Sequence, residues 1–422
     1  MAAENVHMNG SALAAEASYP PPRRTISRLF EVLLLLLFAG LTLNDKMFPW
    51  MAPVDRWLGI VLVLTALFSM FRAREPLKTE VLLFVLFVAW STVTGFLVAS
   101  NQSAVTYYVR LMAQEAALFL AITEYTRDTR GGSFVFGLLL LGALGVLAYQ
   151  VATGGTIGVV EGTGFRATSV YKNPNSLGIA CIFGLFGVAY FLRAPNSPRL
   201  RLWPALAIPV LLFFQITTGA RLTFVAFGVF VLLWLALCLR TLPHGLRALI
   251  WVVLLLFTAF VLYRGPNSML KGTVVGHRLQ NTVATPEADP RWKLYNLGWE
   301  AFTKSPLFGV GLGNFAVVYG QYTHSDYMET LSTTGFVGFI LYFAIYLTLW
   351  RRLSRCQRGI LDATTEYRIN SYKAMILTML FLAVGAPNVF QPQTWLLLGA
   401  ITGHSCVVER SLALQPEEET AQ

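Results

Sequence analysis

Charge is scarce in this chain. Only 13% of its 422 residues are Asp, Glu, Lys or Arg, while 55% are apolar, and the mean hydropathy of +0.57 excludes a soluble globular protein. Cysteine is scarcer still. Four are present, and Cys181, Cys238, Cys356 and Cys406 fall in predicted membrane spans or inside loops without metal-ligand spacing, so a disulfide scaffold and a cysteine-held metal are excluded. Short alternating segments of the kind that build a closed β-barrel are lacking. The opening MAAENVHMNGSALAAEASYPPPRRTISR lacks the compact apolar stretch and small-residue cleavage site of a signal peptide. It reads as a disordered tail over residues 1–26.

What is abundant is long apolar runs. Crossing a hydrocarbon core of roughly 30 Å takes about 17 to 25 mostly apolar residues as a helix, and about twelve such runs follow one another. They lie near 27–44, 54–72, 77–98, 103–125, 132–152, 175–193, 202–217, 221–240, 247–264, 326–350, 368–386 and 391–408. The expected fold is an all-α integral membrane protein with its polytopic domain over 27–408 and a short tail over 409–422. Arg23, Arg24 and Arg28 place the first tail in the cytoplasm by the positive-inside rule. Alternating sides from there puts both termini in the cytoplasm, and the inside loops and tails together hold 19 of the 32 Lys and Arg. The net charge of +10 follows from this bias and from contact with anionic lipid heads, so nucleic acid is rejected as a partner.

Two outer connections are long, 153–174 and 265–325. Function is expected there, because an inessential loop is usually brief. The larger loop carries its own predicted helix, with Asp289 as N-cap and Pro290 at the first helical position. Its Trp292, Tyr295, Trp299 and Phe302 recur at helical spacing, which suits either a helix in the membrane interface or one packed on the bundle.

Four outward positions stand out: Arg166 in GTGFRATSVYKNPNSLG, Arg221 in TTGARLTF, Arg291 in DPRWKLYNLGWEAFTKSPLFGVGLGNF, and His324 in GQYTHSDYMETLSTTGFVGF. Each alone reads more readily as a lipid-head anchor or a loop histidine. Together, three arginines and a histidine beside helix starts suit a phosphate-bearing substrate, since the guanidinium fork donates paired hydrogen bonds and helix N-termini attract anions. A histidine, with an unperturbed pKa near 6.5, can take a proton at neutral pH. Arg110, inside the run 103–125, either lines a cavity or snorkels outward. The GVGLG of Gly309, Gly311 and Gly313 lacks the βαβ context of a nucleotide loop and is expected to form a tight turn that brings backbone near the site. From His324, helical spacing runs through Met328, Leu331, Gly335 and Gly338, predicting a glycine-faced helix.

The order RATSVYKNPNSLG, TGARLTF, DPRWKLYNLGWEAFTKSPLFGVGLGNF, HSDYMETLSTTGFVGF resembles the O-antigen ligase and polymerase superfamily of bacterial envelope enzymes, over roughly residues 160 to 350. The resemblance implies a GT-C-like glycosyltransferase of the inner membrane with a periplasmic active site. It also implies that glycan moves from undecaprenyl pyrophosphate to lipid A-core, with His324 as base and Arg166, Arg221 and Arg291 on the donor pyrophosphate. Arg110 becomes a candidate for the donor groove. No metal or other cofactor is expected, because the outer carboxylates are scattered and Asp289 is better used as a cap. A sister polymerase would use the same residues. A small-anion transporter, the reading from another class, predicts inverted repeats and broken helices. The size of one outer loop and the short C-terminal tail favour ligase.

Overall fold

A computed structural model describes residues 29, 31–36, 57–62, 64–68, 77–127, 129–152, 157–160, 164–167, 173–193, 198–239, 245, 247–248, 251–252, 290–359 and 362–413. The expected tail over 1–26, most of the runs 27–44 and 247–264, and loop residues 265–289 lie outside them. The chain is helical throughout the described residues except for one hairpin, in which β1 (Ile157–Val160) pairs antiparallel with β2 (Gly164–Ala167). The all-α expectation holds for the bundle, and these two four-residue strands are the departure from it among the described residues.

In chain order the helices are α1 (Thr79–Val98), α2 (Gln102–Tyr125), α3 (Thr129–Ala152), α4 (Pro174–Phe191), α5 (Pro198–Thr217), α6 (Arg221–Cys238), α7 (Pro290–Lys304), α8 (Asn314–Tyr319), α9 (Asp326–Arg358), α10 (Ala363–Leu382) and α11 (Pro392–Ala413). A 3-10 turn over Asn388–Phe390 joins the last two. Five described helices, α1, α3, α4, α6 and α9, are long and apolar enough to cross a membrane. The runs predicted at 103–125, 368–386 and 391–408 are also helices, but each carries more polar side chains. α10 and α11 bury theirs, among them Asn370, Ser371, Thr402 and Ser405, against neighbouring helices. The last helix runs on to Ala413, beyond the boundary expected at 408.

Large apolar residues such as Leu82, Val93, Phe96 and Leu97 stand exposed along α1. Contiguous faces of that kind are rare on a soluble monomer and suit lipid. Inside, α1 lies along α9 and α2 along α11, with Phe84 stacked on Trp395 at 3.6 Å. All four cysteines are free and buried, as packing residues should be.

Local sequence sets the helix starts that matter. Asn173 caps α4 by accepting from Asn175 N at 2.9 Å, with Pro174 at the first position. Ser325 caps α9, accepting from Met328 N at 3.5 Å while donating to Ala383 O at 3.1 Å. The cap therefore also ties α9 to the end of α10.

α9 is not the continuous glycine-faced rod its spacing predicts. Gly335 has φ 68° and ψ −170°, and the helix breaks there. In a membrane interior freed backbone groups need protein partners, and these are supplied by the loop after α7. Val310 N donates to Ser332 O at 2.8 Å, Gly311 N to Thr333 O at 3.0 Å, and Phe336 N to Pro306 O at 2.8 Å. Trp90 Nε1 on α1 donates to Thr334 O at 2.9 Å. The GVGLG segment is the expected tight turn, with Gly309, Gly311 and Gly313 all at positive φ, but its backbone packs into the α9 break. A Cβ at Gly309 would stand 2.5 Å from the Thr333 carbonyl carbon, so only glycine admits the approach.

Candidate active site

His324 occupies the last residue but one before α9, in the left-handed region at φ 60°. A non-glycine residue adopts this conformation only when its surroundings hold it, and both flanks are held here. Buried Thr323 donates its N–H and its hydroxyl to Glu329 Oε2, each at 2.9 Å, and the same hydroxyl contacts Ser325 O at 3.0 Å. On the other side Asp326 N donates to Ala383 O at 2.8 Å. The imidazole is left half-buried, leaning on the ring of Tyr322 with centroids 4.2 Å apart.

Tyr322 is the hinge of the cluster. Burial pushes its hydroxyl above the ordinary value near 10, the Glu329 carboxylate pushes it further, and the Arg291 guanidinium opposes both. The phenol therefore stays protonated at neutral pH and lies within electrostatic reach of Arg291. Tyr108 on α2 shares that reach to Tyr322 and Glu329, and its ring stands 5.1 Å from Phe390.

Arg291 lies in the first turn of α7, which begins at Pro290 as its sequence predicts. The helix buries Leu294, Gly298 and Ala301 and exposes Trp292 and Trp299, 53% each, on the opposite side. Gly298 faces Thr323 and Met328, with a Cβ there 3.5 Å from each, so α7 packs directly on the His324 turn. The packed reading of the aromatic stripe holds for Tyr295, which anchors the helix by donating to Val384 O at 2.8 Å, while the two tryptophans face away from the bundle.

Arg221 opens α6 behind Gly219, at φ 61°. Its neighbour Leu222 and Arg291 Nη1 flank the same bare glycine, Gly385, at 3.0 and 3.1 Å from where a Cβ would stand. The first turns of α6 and α7 thus converge at the end of α10. Arg166 lies on β2 opposite Gly158, in a hairpin that packs on α4 and α5, and its side chain lies outside the described structure. Arg110 is exposed on α2 on the side of Tyr107 and Gln114, with no ion-pair partner among the described residues.

Sequence reasoning missed two carboxylates. Glu329 braces the turn, and Asp326, fully buried, accepts from Val389 N at 2.9 Å and Tyr342 hydroxyl at 3.0 Å, tying α9 to the 3-10 turn. Acidic residues in a first turn read from sequence as partners of the helix dipole, which hides such a role. The hydroxyls behave as membrane-helix hydroxyls do, bonding the preceding turn: Thr330 Oγ1 to Asp326 O at 2.6 Å and Thr334 Oγ1 to Thr330 O at 2.7 Å.

Residues 210–343 match the family model described as O-Antigen ligase. The match supports the O-antigen ligase and polymerase superfamily. The matched segment spans Arg221, Arg291, His324 and the break at Gly335, the residues whose elements converge, and leaves Arg110 and Arg166 outside. A comparison with curated proteins finds no match. Among solved structures, one described as "Structural coordination of polymerization and crosslinking by a peptidoglycan synthase complex" is similar at 16% identity and a TM-score of 0.41, over 80% of this chain and 98% of that one. At that score the likeness carries no argument about function.

Proposed function

We propose that this protein is an O-antigen ligase of the bacterial inner membrane, transferring glycan from undecaprenyl pyrophosphate to lipid A-core at the periplasmic face. The observation that carries the reading is the convergence of His324, Tyr322 and Arg291 within the matched segment, at the start of α9 and beside the start of α6.

The acceptor hydroxyl oxygen attacks the anomeric carbon of the donor sugar as the bond from that carbon to the pyrophosphate oxygen breaks. The bonding pair leaves on the pyrophosphate, and the acceptor proton passes to the His324 imidazole. Attack opposite the leaving group inverts the anomeric centre. Negative charge grows on the pyrophosphate, where fixed guanidiniums lower the barrier because they need not reorganise. Arg291 and Arg221 supply that charge from two helix starts, and Arg166 from the hairpin. Arg110 borders the lipid-facing approach of the donor.

A transporter would use a broken helix to aim its ends at a cavity. The break in α9 is instead filled by the backbone of Pro306, Val310 and Gly311, which favours a fixed site over an alternating one.

The test is to incubate purified protein with undecaprenyl-pyrophosphate glycan and lipid A-core, separately and together, and to separate the products. Glycan on the core is expected. A lengthened lipid-linked glycan made without core would replace ligase by polymerase. Turnover is expected to be unchanged in EDTA, because the arginines supply the charge that a divalent ion would. Activity abolished by EDTA and restored by magnesium would refute the arginine mechanism.

A further inference from the structure

The far end of α9 from His324, about 40 Å along the helix at 1.5 Å per residue, holds a second cationic feature. A cavity of about 630 Å³ opens there, with Arg351, Arg355 and Arg358 in its wall. Their i, i+4, i+7 spacing puts all three on one face of α9, and all three are exposed.

Arg352, between them, points inward and is already used. Its Nε and Nη2 donate to the two oxygens of buried Glu80, both at 2.9 Å, and its Nη1 to Glu409 at 2.6 Å. This fork-to-fork pair neutralises the one carboxylate lining the cavity and fixes α1 against α9 as its wall. Arg355 keeps only a long contact to Glu409, at 3.8 Å. The opposite wall is the first turn of α1, where Thr79 lines the cavity and the N-cap residue Lys78 makes no side-chain cap. The first turn of α1 and three guanidiniums thus border one space, and guanidiniums suit a phosphate group.

The exposed face of α9 says which phosphate. Phe336, Ile340 and Leu347 are about half exposed, at 51%, 48% and 48%, and they run along the helix into Arg351. Apolar surface leading to a cationic head site matches a molecule with an acyl tail and an anionic head.

We propose that this cavity binds the headgroup of an anionic phospholipid, with its acyl chain lying along α9. Basic pockets between membrane helices bind such heads, with each cation contributing about a fivefold gain in affinity. The site is separate from the His324 cluster and does not depend on the transferase reading.

The test uses the purified full chain in neutral detergent, with binding read by native mass spectrometry and by thermal shift. Phosphatidylglycerol is expected to bind saturably, phosphatidylcholine not to, and millimolar inorganic phosphate not to displace the lipid. Replacing Arg351, Arg355 and Arg358 together with glutamine should weaken binding by about fivefold per arginine. Thr348→Trp, which fills the cavity while keeping every charge, should also weaken it, and it carries the test if the triple variant does not fold. Wild-type affinity in Thr348→Trp would overturn the site. Equal binding of phosphatidylcholine, or displacement by inorganic phosphate, would overturn the anionic-lipid assignment.

Discussion

His324→Asn is expected to lose turnover by about 10² to 10⁴-fold, the usual contribution of a general base, while binding the lipid-linked donor nearly as tightly as the parent. Asparagine is the informative replacement because the position sits at φ 60°, which asparagine tolerates. Alanine there adds about 1–2 kcal/mol of backbone strain, so His324→Ala loses the same chemistry with an additional fall in stability. Single-turnover assays with donor and acceptor give the rate, and donor titration followed by tryptophan fluorescence gives the binding. Near-parental turnover by the asparagine variant would remove the base assignment. Loss of donor binding equal to the loss of rate would recast His324 as a substrate ligand.

The second large effect is expected from Gly335→Ala. The conformation at φ 68° and ψ −170° belongs to a region reached essentially only by glycine, and forcing another residue into it costs about 1–3 kcal/mol. An added Cβ would also run into the Leu307 carbonyl and stand 2.7 Å from Phe308 N. Relief requires the loop to move out, which strips Ser332 and Thr333 of the N–H donors they receive from Val310 and Gly311. Such orphaned groups cost about 1–3 kcal/mol each when buried. The variant should therefore melt at a lower temperature and lose most of its activity, because the half-helix that carries His324 ends at this break. Gly145→Ala is the control, since a Cβ there meets nothing within 4 Å, and it should behave as the parent. Parental melting and turnover in Gly335→Ala would show that the break is dispensable.

Some of the site was legible because its signals are local. Asn173 with Pro174 marks a helix start through capping and a pre-set φ, and Pro290 does so for α7. His324 and Arg291 were readable as chemistry at helix starts, and Ser325 as the boundary residue. The spacing through Gly335 misled because a periodic pattern assumes continuous helical φ and ψ. A glycine at a regular interval gives no sign of whether it packs closely or breaks the helix.

By itself the sequence determined that this is a membrane protein and that Arg221 and Arg291 stand at helix starts, because hydropathy, length and capping act over a turn or two. Tertiary structure alone decided the rest. Glu329 and Asp326 became braces of the histidine turn only when Thr323 and Val389 were brought to them. Gly385 became the meeting point of α6 and α7 through neighbours from two distant helices. The polar side chains of α10 and α11, among them Asn370 and Thr402, are sheltered by the helices around them. Arg352 found its carboxylate 272 residues away. Such pairings depend on where other helices stand, and a local run of residues holds no information about that.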